Sequence, residues 1–113
     1  HGLRSTLASA VRRQAVKLEV ALEIDSLAML MDAVAAGLVA TIQPGAAITR
    51  MAGHDLAMAR LSDPGLVRRN LLASLSDEEL SPAGLAVRVA LRDVVRGLVE
   101  SGQWLGARSL HES

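Results

Sequence analysis

A chain of 113 residues, half of them hydrophobic, has room for one ordinary domain or a piece of a larger one, but without Phe or Tyr and with Trp104 as its one aromatic its core must be built from Leu, Val, Ala and Met. Twelve Lys and Arg balance twelve Asp and Glu, which removes any global pull towards nucleic acid or an anionic membrane. The absence of cysteine excludes disulfides and thiolate chemistry and suits a reducing cytoplasm, and no apolar run approaches the roughly twenty residues of a membrane span.

So high an apolar content on so short a chain, with no initiator Met, predicts a piece of a longer protein whose apolar surface meets something outside it. The opening HGLRSTLASAVRRQ has basic and small residues but no apolar core of signal-peptide length. Leu3, Leu7, Ala10 and Val11 form a stripe at helical spacing, which predicts a first helix from Leu3 to about Val16. His1-Gly2 would lie at its N-terminal end, where free N–H groups and the positive end of the helix dipole favour an anion; a frayed terminus is the plainer reading.

The stretch LEVALEIDSLAMLMDAVAAGLVATIQP, Leu18 to Pro44, organises the rest. Leu18, Val20, Leu22 and Ile24 alternate with Glu19, Ala21 and Glu23, the period of a strand with one apolar face. Asp25 and Ser26 can cap a helix, and Leu27, Leu30, Met31 and Val34 then fall on one helical stripe. Gly37 can take the left-handed conformation that ends that helix, and Leu38 to Ile42 reads as a strand covered on both faces and closed by Pro44-Gly45. Strand, helix and strand with tight connections predict a right-handed βαβ crossover in a parallel sheet.

Residues 46–51 suffice for a turn or two of helix, followed by the loop Gly53-His54-Asp55 and a short strand from Leu56 to Leu61. Asp63-Pro64-Gly65 is a turn signal that could close a hairpin, and Leu66 to Ser76 reads as a long extended strand. Ser81-Pro82 announces a helix, serine as cap and proline at the first helical position, running to about Ser101 with Gly102 as its stop. Leu91, Val94, Val95 and Leu98 line its apolar side. Arg88, Arg92 and Arg96 lie one turn apart on another side; a phosphate reader is one reading, and a solvated face with Arg96 paired to Glu100 is the simpler one. Residues 104–113 read as a tail, anchored by Trp104 and Leu105.

Catalytic and metal chemistry finds no spacing to support it. His1, His54 and His111 are scattered, with no HxH or HExxH pattern, and no GxSxG, GxxxxGK[ST] or GxGxxG motif is present. Ser26 has no histidine that the sequence argues to be adjacent, so a ligand-receiving helix start suits it better than a nucleophile, and Asp25 and Ser26 as plain caps are compatible with that role. Glu19 and Glu23 are explained by solvent-facing strand positions. Met29, Met31, Met51 and Met58 are read as gap-filling core or interface residues.

The order of signals resembles one known family. A PHGLR-like start at His1-Gly2-Leu3-Arg4, then EIDSLAMLMDAVAAGLVATIQPGAAI, a DPxLxRR-like turn at Asp63 to Arg69, and LLASLSDEELSPAGLAVRVALRDVV together look like the effector-binding (substrate-binding) domain of the LysR-type transcriptional regulators, over nearly the whole chain. The resemblance implies an α/β fold, a parallel-type sheet with flanking helices in a periplasmic-binding-protein-like regulatory subdomain, plus a C-terminal helix. It implies residues 1–66 as the second regulatory subdomain, 67–103 as a hinge-crossing strand and the terminal helix of the first subdomain, and 104–113 as tail. It further implies a cytoplasmic, non-enzymatic sensor of a small-molecule effector, an organic anion, that works as a homo-oligomer, needs no cofactor or metal and reaches DNA only through a winged helix-turn-helix outside this chain. The effector-binding positions it carries over are His1, Gly2 and Leu3, and Asp25, Ser26 and Leu27. With much of the first subdomain outside the chain, exposed Leu and Val over residues 85–99 and self-association are expected. A periplasmic-type binding protein or an enzyme fragment on the same sheet is the rival reading, which the upstream sequence would discriminate.

Overall fold

In the computed structural model, which describes residues 2–51 and 53–110, four helices carry the regular structure of the described residues: α1 (Leu3–Arg13), α2 (Leu27–Ala35), α3 (Gly45–Thr49) and α4 (Pro82–Glu100). Each starts and stops where local chemistry dictates. α2 is capped by Ser26, whose Oγ accepts the Met29 N–H at 3.3 Å, and α4 by Ser81, whose Oγ accepts the Gly84 N–H at 3.1 Å, with Pro82 in the first helical position. Beyond α2, Gly37 has φ 76° and the Leu38 N–H reaches back to the Ala33 carbonyl at 3.1 Å, the left-handed closure that glycine permits at no steric cost. α1 ends about three residues before the sequence predicts. Ala15 takes a positive φ of 51° and the Val16 N–H closes on the Val11 carbonyl at 3.1 Å, so the helix stops with the same geometry but without a glycine.

The chain divides into two compact units, His1–Gln43 with Gly53–Asn70 and Pro44–Ala52 with Leu71–Ser113. In the first, α1 and α2 contribute the buried residues Ala10 and Met31, and the C-terminal end of α1 is held to the Asp-Pro-Gly turn. Arg13 Nη2 lies 3.2 Å from Asp63 Oδ1, Gln14 Nε2 donates to Asp63 Oδ2 at 3.4 Å, and the Gly65 N–H donates to Asp63 Oδ1 at 2.7 Å. In the second unit Ala47 of α3 is buried, and a side chain on Gly45 would collide with the Leu105 carbonyl. Arg88 of α4 donates to Ser74 Oγ at 3.2 Å and pairs with Asp77, which ties residues 74–77 to one side of the helix.

The expected α/β fold is not what forms. Among the described residues there is no strand and no sheet, so the parallel-type sheet, the βαβ crossover and the periplasmic-binding-protein-like architecture are all overturned, together with the strands expected at 18–24, 38–42, 56–61 and 66–76. The reason lies in what a strand is. Alternation is a property of one segment, but a ladder needs a second segment about 4.8 Å away to exchange N–H and C=O groups. Here the backbone hydrogen bonds outside the helices join near neighbours in sequence, and none links these segments to one another. The turn at Asp63-Pro64-Gly65 forms, with the Leu66 N–H on the Asp63 carbonyl at 3.0 Å, yet its flanks do not pair into a hairpin. Leu38, expected to be covered on both faces, is 70% exposed.

Two smaller expectations also change. Met31 fills the interior as read, whereas Met29 and Met58 are exposed and fill no gap. Arg96 lies 3.9 Å from Asp93, three residues back, instead of pairing with Glu100. Among the described residues only Ala10, Met31 and Ala47 are buried hydrophobics, so hydrophobic burial is light and local capping carries much of the order.

Candidate functional site

The residues expected to meet a ligand fall at two helix starts within one unit. His1 lies outside the described residues. Gly2 precedes α1 without offering a side-chain cap; its carbonyl accepts the Thr6 hydroxyl at 3.1 Å and the Thr6 N–H at 3.2 Å. The N–H groups of Leu3, Arg4 and Ser5 come before the first intrahelical bond and have no partner within the helix. At α2, Met29 N–H is taken by the Ser26 hydroxyl and Leu30 N–H by the Ser26 carbonyl at 2.9 Å, which leaves Leu27 and Ala28 N–H groups without a helical partner. Asp25, Ser26 and Leu27 are all exposed, while Gly2 and Leu3 are partly covered.

The charges around the two starts are mixed, with Arg4 near that of α1 and Asp25 directly before the cap of α2. Neither helix has an acidic residue in its first turn to neutralise the positive end of its dipole. Arg4, beside Leu3, makes an ion pair with Glu23, two residues before Asp25, at 2.9 Å. This pair links the beginning of α1 to the segment that leads into α2. Both side chains are well exposed, so the pair contributes little to stability. The Ser26 hydroxyl acts as an acceptor, and no described residue takes a hydrogen bond from it, which gives no activated nucleophile. No group of His, Cys, Asp and Glu among the described residues could gather a metal ion.

Sequence reasoning found Ser26 because a cap is a local pattern, and it missed two partnerships. Arg4 with Glu23 joins residues that the spacing placed on separate elements. The sequence offers Asp63 only as a turn residue, yet its side chain is 12% exposed and gathers three donors. The Gly65 N–H above all, then Gln14 and Arg13, hold its carboxyl below the usual aspartate range against the opposing effect of burial. The Asp-Pro-Gly motif signals the bond to Gly65, since aspartate commonly accepts the N–H two residues on. Nothing local could signal an arginine fifty residues away.

No helix of the described residues is long and apolar enough to cross a membrane. Neither a curated protein nor a solved structure matches the chain. A family model does: that of the LysR substrate binding domain, over residues 1–96. This domain is the regulatory, ligand-binding part of LysR-type regulators and is not a catalytic one. With most of its length matched, and with the ordered motifs from His1 to Val95, the chain belongs to the LysR substrate binding domain family, the effector-binding domain of LysR-type transcriptional regulators.

Proposed function

We propose that this chain senses a small organic anion, a carboxylate or sulfonate, at the start of α2, with Asp25, Ser26 and Leu27 at the rim and Gly2 and Leu3 at the neighbouring start of α1. The observation that carries this reading is the exposed, serine-capped opening of α2, with the Leu27 and Ala28 N–H groups uncommitted within the helix and no acid in its first turn. Membership of the family supports the sensing role. The reading includes the wider plan that the family suggests: residues 1–66 as the second regulatory subdomain, 67–103 as a hinge-crossing segment and terminal helix, and 104–113 as tail. The protein works as a cytoplasmic homo-oligomer whose DNA contact belongs to a module outside this chain. The neutral net charge supports that division, since a phosphate-binding surface needs an excess of Lys and Arg.

The test is a thermal-shift screen of benzoate, salicylate, acetate, succinate and a small alkyl sulfonate, read alongside sodium chloride at equal ionic strength. At least one acid should raise the midpoint beyond the chloride control, and Ser26→Ala should reduce that rise. Equal shifts in the variant remove Ser26 from the site, and no shift with any acid removes the anion reading.

A further inference from the structure

An anion at the starts of α1 and α2 meets one full positive charge. Residues 2–11 and 18–49, which include most of α1, the approach to α2 and α2 itself, hold a single Lys or Arg, Arg4, against the acids Glu19, Glu23, Asp25 and Asp32. A carboxylate placed there without Arg4 would face only like charges. Arg4 is open to it. Its side chain is 88% exposed, and its ion pair runs from Nη2 to one oxygen of Glu23 at 2.9 Å. Its Nε and Nη1 make no side-chain hydrogen bond among the described residues, so the guanidinium is engaged at one point where a carboxylate or sulfonate can take two.

The other end of α1 is held differently. There the shielded carboxylate of Asp63 accepts from Arg13, Gln14 and the Gly65 N–H together. An exposed single-point pair is weak and exchanges with a competing anion, whereas a shielded carboxylate with three donors keeps its partners.

We propose that Arg4 is the charge partner of the effector and that Glu23 holds it in the free chain. An organic anion takes the guanidinium from Glu23 and so releases the start of α1, while Asp63 keeps the end of that helix in place. The inference rests on the proposed effector site, names the residue that selects an anion there and gives binding a structural consequence.

Proton–nitrogen NMR correlation spectra of the chain test it, titrated with the same five acids and, as uncharged counterparts, with benzamide and acetamide. The Arg4 Nε–H signal, identified by its loss in Arg4→Gln, should move with an acid that moves the Leu27 and Ala28 amides and should not respond to the uncharged compounds. The Gln14 side-chain amide, at the Asp63 end, should stay where it is. Glu23→Gln removes the competing carboxylate and should lower the half-saturating acid concentration by up to about five-fold, the strength of one exposed ion pair. Arg4→Gln should raise it by about five-fold or more, and Arg4→Lys, which keeps the charge without the planar fork, should recover part of that loss. Both side chains are exposed, so the circular dichroism of these variants should match wild type. An acid that moves the Leu27 and Ala28 amides equally well in Arg4→Gln, or binds no tighter in Glu23→Gln, overturns the proposal and leaves the anion reading standing. A Gln14 signal that moves together with that of Arg4 overturns the one-ended release. If none of the five acids moves any of these signals, the anion reading itself fails and this inference with it.

Discussion

Ser26 has two separable jobs, and substitutions at it tell them apart. Its Oγ accepts the Met29 N–H at 3.3 Å, and α2 is a helix of nine residues, too short to hold itself without its cap and its packing. Removing the oxygen with Ser26→Ala should destabilise the chain by about 1 kcal/mol, roughly a five-fold loss in the folded ratio, because the exposed donor returns to water instead of a fixed acceptor. Ser26→Asp keeps an acceptor in the same place and adds a negative charge to a helix whose first turn has no acid, beside the Asp25 carboxylate, which should leave stability about equal or raise it by about 0.3–1 kcal/mol. The same charge occupies the electrostatic role proposed for the effector. Ser26→Asp should therefore be as stable as wild type in urea, followed by circular dichroism at 222 nm, and yet show no thermal shift with the organic acid. If the aspartate variant keeps the full ligand shift, the anion does not sit at this helix start. If alanine and aspartate are equally destabilising, the cap itself has been misjudged.

Two further outcomes follow from contacts away from that helix. Asp63 is held below the ordinary aspartate pKa, so its contribution to stability is present above that value, about 3.9 for an unfolded chain, and disappears as pH falls through the lower folded value. Asp63→Asn should therefore lower the urea midpoint at neutral pH and converge with wild type in acid; parallel curves at all pH values would show that the carboxylate charge is idle. Gly45→Ala places a Cβ into the Leu105 carbonyl and 2.8 Å from the Leu105 Cβ, and should cost about 1–3 kcal/mol in urea unfolding through overpacking. The comparison is Gly65→Ala, whose nearest neighbour is the movable guanidinium of Arg13, and which should cost clearly less. Equal midpoints for the two variants would remove the Leu105 contact from the fold.

The sequence by itself determined where α2 and α4 begin and stop. Ser26, Ser81-Pro82, Gly37 and Gly102 act within four residues of their own position, so their effect can be read without knowing what lies elsewhere. It also determined the family, because the motifs keep their order whatever partners they find. For the candidate site it disclosed Ser26 as cap, but not the Arg4–Glu23 pair that links the two helix starts. Only the tertiary structure decided the fate of the alternating segments. Val20 and Leu22 have the spacing of a strand and remain exposed and unpaired, since a ladder exists only where a second segment arrives in register. The same holds for Met31, which is buried while Met29 is not, and for Asp63, whose partners Arg13 and Gln14 lie about fifty residues back along the chain. Local hydrogen bonds are written in neighbouring residues; pairing and burial depend on which distant segments meet.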